Sequence, residues 1–315
     1  MEIPGYEERI KNEIHHYTTL LDHQAQSDEV TGVLPRVPVF EYGLKVYQPY
    51  LGAQMKNLDL ESYVVNRQST LARPMRLLSL GCGAGDWEMR VAIRSRAQIS
   101  IHLVDLSMDL LRKACEVGKR EGVSVDTTVR DVNEVDLPRD YYDFVLCRSS
   151  LHHFLELERH HFLELERLFD QIRKTLTRGG QFIVVGEWIG RNGLQVYPET
   201  ESVAQSLFDE LPDRLRLNRY TNAIDTKVPN VDHSVNSFEA IRSEDIMPLL
   251  LENFTPYEHV TFDAFLSLLL DFRYGPNYDL TNGEDLAIAE DLIGKDIAAI
   301  QQGKLRPTSM FGIFQ

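Results

Sequence analysis

The run LLSLGCGAGD, residues 77–86, places three glycines in five positions directly after an apolar stretch. Gly81, Gly83 and Gly85 permit positive φ and let a ligand lie against bare backbone. Between a strand and a helix, such a turn suits a nucleotide or nucleoside. A dinucleotide fingerprint needs glycine at position 86, where Asp86 stands. A carboxylate there is a poor neighbour for pyrophosphate and a better one for a cationic or amine-bearing group. Two more acids close apolar runs, Asp105 in ISIHLVD and Asp131 in VSVDTTVRD. Asp105 suits the two hydroxyls of a ribose or a plain helix cap, a role that Ser107 also fits. Asp131 with Asn133 suits the edge of an adenine or an ordinary acidic loop. Three acids round one pocket disfavour a phosphate-rich ligand.

Histidines supply the second set of candidates. The phrase HHFLELER occurs twice without a change, at 152–159 and 160–167. His152 and His153 follow the apolar run YDFVLC, and an imidazole titrating near neutrality can take a proton from a hydroxyl, amine or activated carbon. A satisfied structural histidine is the competing role. Glu187, at the end of QFIVVGEW, is the other base candidate, or else a carboxylate that orients the following loop. No metal is expected: helical residues eight apart lie about 12 Å apart along the axis, so His152 and His160 cannot share an ion, and adjacent helical side chains point roughly 100° apart. Packing explains the phrase better: Phe154, Leu157, Phe162, Leu165, Phe169, Ile172 and Leu176 would line a helix. Eight residues are not a whole number of turns, and the copies are rotated by about 80°. One copy is expected to fill the core face while the other extends the helix or bulges toward the pocket rim.

Elements that position these groups follow from the alternation of short apolar runs with helical stretches. Strands are predicted at 75–80, 99–105, 123–131, 142–147 and 181–188, with helices between them. This rhythm implies an α/β fold, a mostly parallel sheet covered on both faces. The helix carrying the repeat is expected to end at the glycine pair 179–180. After Trp188 the rhythm breaks. A helix is expected from about 201 to 210, another across EAIRSEDIMPLLLENF, a sixth strand at EHVTF and a last one at SMFGIF. Before the domain, VLPRVPVFEYG reads as an irregular connection because of its two prolines, and a second helix is expected over about 51–70. The domain expectation is a helical arm at 1–70 and one domain from 71, with a lid-like insert at about 189–238 and a helical excursion at about 264–305.

Composition narrows the partners. The 315 residues carry 48 acids against 33 basic residues, a formal charge of -15, which repels phosphate backbones and anionic lipid. Neither nucleic acid nor membrane is expected as a partner; a small molecule is. Cys82, Cys115 and Cys147 show no paired spacing and read as free thiols in a reducing compartment. The N-terminus lacks a basic start followed by an apolar core, and no apolar run is long enough to cross a bilayer. A cytoplasmic location is expected, with a homodimer through the N-terminal arm as an option.

The ordered set LLSLGCGAGDWE, IHLVDLS, VRDVNEVDLP, YYDFVLCRSSLHH and LTRGGQFIVVGEW resembles the class I methyltransferases that use S-adenosylmethionine, over about residues 70–188. The resemblance implies a Rossmann-like sheet of seven strands, the last antiparallel. It places the methionine portion at Gly81, Gly83 and Gly85, with Cys82 between them, and the ribose at Asp105 beside Leu106. Asp131 and Val132 would flank the adenine, and Cys147 and Arg148 would lie along the cofactor. GEWIG, RNGLQ and EAIRSEDIMPLL are similar to a bacterial small-molecule branch. The implied activity is methyl transfer by direct displacement to an oxygen, carbon or nitrogen, with His153, Glu187 and His152 as catalytic candidates. Alternatives are a nucleic-acid or protein methyltransferase, a cofactor-binding partner protein without turnover and, more remotely, a dehydrogenase.

Overall fold

The computed structural model describes residues 8–12, 14–15, 37–96, 98–154, 164–235 and 237–315. Helices α1 (Pro38–Gln54) and α2 (Leu60–Gln68) precede β1 (Met75–Leu80), α3 (Asp86–Arg94), β2 (Ile99–Asp105), α4 (Met108–Glu121), β3 (Val125–Val129) and β4 (Tyr142–Arg148). Then come α5 (Glu164–Thr175), β5 (Leu176–Trp188), α6 (Pro198–Glu210), α7 (Ser243–Asn253), β6 (Pro256–Phe262), the short α8 (Leu266–Leu269), α9 (Gly283–Gln301) and β7 (Ser309–Phe314). The seven strands form one sheet in the order β3-β2-β1-β4-β5-β7-β6. β7 alone runs antiparallel, wedged between β5 and β6. Mixed α/β architecture with helices on both faces is thus as the strand–helix rhythm implied. No helix among the described residues is long and apolar enough to cross a membrane.

Alternation along each strand builds two cores. Leu77, Leu103, Phe144, Leu146 and Ile183 point to one face, where Trp87 and Val91 of α3, Leu111 of α4 and residues of α1, α2 and α9 cover them. Leu78, Leu80, Val104, Val145, Cys147, Phe182 and Val184 point to the other, under Leu165, Leu168, Phe169 and Ile172 of α5 and Ile246 and Leu250 of α7. Period-two strands buried on both sides need apolar residues at nearly every position, which is why these runs are short and continuous.

Three local expectations are corrected. Pro38 opens α1 instead of marking an irregular connection, because a proline in a first turn lacks only an N–H that has no helical partner. The helix expected over 51–70 is two helices that break between Gln54 and Leu60, where Asp59 caps α2 by accepting from Ser62 N. α5 stops at Thr175, before the glycine pair, and Gly179 and Gly180 lie inside β5, where the pairing with β4 shifts register. The last strand, expected at SMFGIF, enters the interior of the sheet. Of the duplicated phrase, residues 155–163 lie outside the described residues, and with them Leu157 and Phe162. Leu165, Phe169 and Ile172 of its continuation form the buried face of α5, while Phe154 is buried outside any α-helix.

Buried carboxylates tie α1 and α9 to the end of β6. Asp296 of α9 accepts from the backbone N–H of Phe265 (2.8 Å) and from the Tyr47 hydroxyl of α1. Burial and the charge of Asp296 raise the pKa of buried Asp263, at the end of β6. Folding therefore favours its protonated form, a contribution present at acid pH and lost as pH rises from the usual carboxylate range toward neutrality. Asp263 has φ +58°, which asparagine also tolerates. Asp263→Asn should raise the thermal midpoint by roughly 2–4 °C at about pH 8 and by clearly less at about pH 5, as read by scanning calorimetry at both values.

Candidate functional site

Parallel strands bring the carboxyl ends of β1, β2, β3, β4 and β5 to one edge, and the candidate groups gather there. At the end of β1 the chain turns through Gly81 (φ +64°), Gly83 (φ +56°) and Gly85 (φ +67°), the last capping α3. Gly81 N–H donates to Val104 O at 2.9 Å, fastening the turn to β2. A Cβ on Gly81 would meet Phe154 and Ser150 at 2.8 Å, and one on Gly85 would meet Leu103 at 2.9 Å. Those two positions lack side chains to make room for protein. The backbone of Gly81, Cys82 and Gly83 is half-buried.

Asp105 supplies the acidic wall of this turn. Its Oδ2 accepts from Gly83 N–H at 2.8 Å and its Oδ1 from Ser107 N–H at 2.8 Å. Ser107, not Asp105, caps α4, through its Oγ to Leu110 N–H. The helix-cap alternative for Asp105 thereby falls away. A carboxylate oxygen accepts more than one hydrogen bond, so a carboxylate pinned in this way keeps its aim when a diol approaches. Leu106 is half-buried beside it. Asp131 accepts from Asn133 N–H (2.8 Å) and caps the single turn Val132–Glu134, in which Val132 is buried. These residues could hold an adenosine bearing a cationic sulfonium, with backbone for the charged end and acids for the ribose and the base.

At the tip of β4 the sequence expectations divide. Arg148 is exposed and Ser149 takes φ +46°. The Cys147 thiol is wholly buried in the core beneath α5. Burial raises its pKa well above the usual thiol range, and only its backbone can border a ligand. Glu187 of β5 has 0% exposure. Its Oε2 accepts from Ser150 N–H (3.1 Å) and Leu151 N–H (3.0 Å), and its Oε1 from His152 N–H (3.1 Å) and from the His152 ring. A carboxylate so occupied and so enclosed is a positioning group for the β4 loop and cannot reach a substrate proton, which corrects its reading as a base. Burial alone would raise its pKa, but the His152 charge and these hydrogen bonds hold it low.

His152 is buried and His153 half-buried, their rings 4.2 Å apart between centroids. Both face a carboxylate that the sequence did not single out, Glu239, at 3.6 Å from His152 Nε2 and 3.8 Å from His153 Nε2. Burial pushes the His152 imidazole toward neutrality, yet Glu187 and Glu239 outweigh it and raise the pKa to about 10. Glu239 arrives from the segment before α7, which docks on this loop through Ala240 N–H to His152 O (3.1 Å). Arg9 braces that segment, donating to the carbonyls of Ser234 (3.0 Å) and Ser237 (2.8 Å). The sequence did not single out Glu88 of α3 either. Its buried carboxyl accepts from the Ser79 hydroxyl within β1, and burial raises its pKa.

A family model described as a methyltransferase domain matches residues 77–180. Among solved structures, the chain is similar to a protein designated PH0226 from Pyrococcus horikoshii OT3, at 24% identity over 46% of this chain and 60% of that one, TM-score 0.31. It is similar to phosphoethanolamine N-methyltransferase 2 of Haemonchus contortus in complex with S-adenosyl-L-methionine, at 16% identity over 94% and 59%, TM-score 0.46. A third likeness is to an S-adenosylmethionine-dependent methyltransferase from Mesorhizobium loti, at 16% identity over 81% and 96%, TM-score 0.41. The chain spans under two thirds of the length of the first two. No curated protein matches. The family match and the strand order give this chain the class I S-adenosylmethionine-dependent methyltransferase fold.

Glu187→Gln places an amide N–H₂ among donors in a closed space and removes the charge that faces His152. Breaking such a buried pair costs about 3–5 kcal/mol, so urea unfolding should show a stability loss of that order. A loss no larger than that of an exposed glutamate substitution would contradict the positioning role.

Proposed function

We propose that the chain transfers a methyl group from S-adenosylmethionine to an oxygen, carbon or nitrogen of a small molecule. When bound, that cofactor supplies an electrophilic methyl on a sulfonium. The observation that carries the reading is the Asp105 carboxylate, held by Gly83 and Ser107 N–H at the lip of a positive-φ glycine turn. In this proposal the backbone of Gly81–Gly83 borders the methionine portion, Asp105 accepts the ribose hydroxyls, and Asp131 and Val132 flank the adenine. Arg148 lies along the cofactor at the tip of β4.

Direct displacement asks the protein to align nucleophile and methyl and to keep water away. The segment at about 189–238 would serve as the lid: it leads into Glu239 and Ala240, which close on His152 and His153. His153, less buried than His152 and not committed to Glu187, is the better placed to meet an acceptor. Supporting a small acceptor, the formal charge of -15 disfavours nucleic acid. The same reading takes the chain as cytoplasmic.

Calorimetric titration with S-adenosylmethionine should give a micromolar dissociation constant, and Asp105→Ala should weaken it tenfold or more, about 1.4 kcal/mol. Binding of NADH in place of S-adenosylmethionine, or unchanged affinity in the folded variant, would overturn the assignment of Asp105 and the reading built on it.

A further inference from the structure

His152, His153 and Glu239 offer three ligand atoms that all lie within 4.8 Å of one another. The two Glu239 separations, 3.6 and 3.8 Å, are long for hydrogen bonds. They are close to the edge of a coordination polyhedron: ligands at about 2.1 Å from one ion sit roughly 3.0–3.4 Å from each other. The two Glu239 separations exceed that edge by a few tenths of an ångström, and no pair of the three ligand atoms exceeds 4.8 Å. The second imidazole nitrogen of His152 is already engaged, since Nδ1 bonds the buried Glu187 carboxylate. A carboxylate behind a histidine fixes the tautomer, leaves Nε2 to face outward and raises its basicity as a ligand. Two carboxylates thus flank one imidazole, Glu187 at Nδ1 and Glu239 at Nε2.

We propose that His152, His153 and Glu239 form a binding site for a divalent first-row transition cation. Two imidazoles and one carboxylate suit zinc, iron(II), manganese or cobalt, and three protein ligands leave coordination positions open. The expectation of no metal came from the spacing of His152 and His160 along one helix and from adjacent helical side chains pointing roughly 100° apart; the rings of His152 and His153 instead lie 4.2 Å apart between centroids. The proposed ion uses neighbouring histidines on the single turn Leu151–His153 and takes its third ligand from a distant part of the chain. The loop is rigid enough for the purpose: Glu187 holds three successive N–H groups of Ser150, Leu151 and His152, and Ala240 N–H holds the His152 carbonyl. Open positions at the tip of β4 would let the ion hold an oxygen or nitrogen of the acceptor. That use rests on the methyl-transfer reading, whereas binding of the ion does not.

The test is titration of the chelator-stripped full chain with CoCl2 at about pH 8, without S-adenosylmethionine, followed by calorimetry and by visible absorption of the bound cobalt. One ion per chain is expected, with absorption bands distinct from hexaaqua cobalt. Glu239→Gln and His153→Gln should each weaken binding tenfold or more with unchanged circular dichroism, and His160→Gln should leave it within twofold. Should one variant fail to fold, the other decides. Absence of saturable binding, affinity unchanged in the folded variants, or a loss confined to His160→Gln would overturn the site. Because no cofactor is present, such a failure is separate from failure of the methyl-transfer reading.

Discussion

A carboxylate at the end of one strand holds the turn at the end of its neighbour: Asp105 of β2 accepts from Gly83 N–H after β1 and from Ser107 N–H ahead of α4. This constraint matters because the turn runs through three left-handed glycines, whose backbone would otherwise have the widest choice of conformations. With both ends tied, the turn presents a fixed edge of backbone beside a fixed negative charge. Under the proposed function, that edge and that charge would receive a cationic nucleoside.

The same device recurs across the sheet in a different environment. At the end of β5, Glu187 gathers the N–H groups of the β4 loop and the His152 ring, but it does so in the interior. One carboxylate is half-buried and able to meet a ligand; the other is sealed and can only position. Burial decides which acid does which task, since both stand at strand ends on one edge. What Glu187 positions is the pair of histidines, and what meets them from outside is Glu239. The site at the tip of β4 is thus assembled from the β4 loop, the end of β5 and the segment that precedes α7, with Arg9 bracing that last segment from the N-terminal side.

The strand–helix rhythm was legible because period-two burial on two faces leaves continuous apolar runs such as MRLLSL and ISIHLVD, and both became strands over their full length. The glycine turn and the acid tip of β2, Asp105, were legible for the same reason: they are local features next to those runs, whereas Asp131 lies beyond the end of β3. Boundaries were lost where local signals have two meanings. Pro38 starts a helix as readily as it interrupts one, and the Gly179–Gly180 pair, which reads as a helix stop, sits within a strand. Glu239 was not legible, because nothing in SFEA marks a residue that reaches His152 only after the chain has passed through β5 and α6. The exposure of Glu187 was also beyond reach, since an acid at a strand tip has the same sequence signature whether it faces a cleft or a core.

The central claim is that the backbone of Gly81–Gly83 and the Asp105 carboxylate form the floor and wall of an adenosyl-sulfonium site. A crystal structure of the chain with S-adenosylhomocysteine addresses it most directly. The account predicts the ribose hydroxyls within hydrogen-bonding distance of Asp105 and the homocysteine portion along Gly81–Gly83. A nucleoside bound elsewhere, with the glycine turn packed wholly against protein, would contradict it.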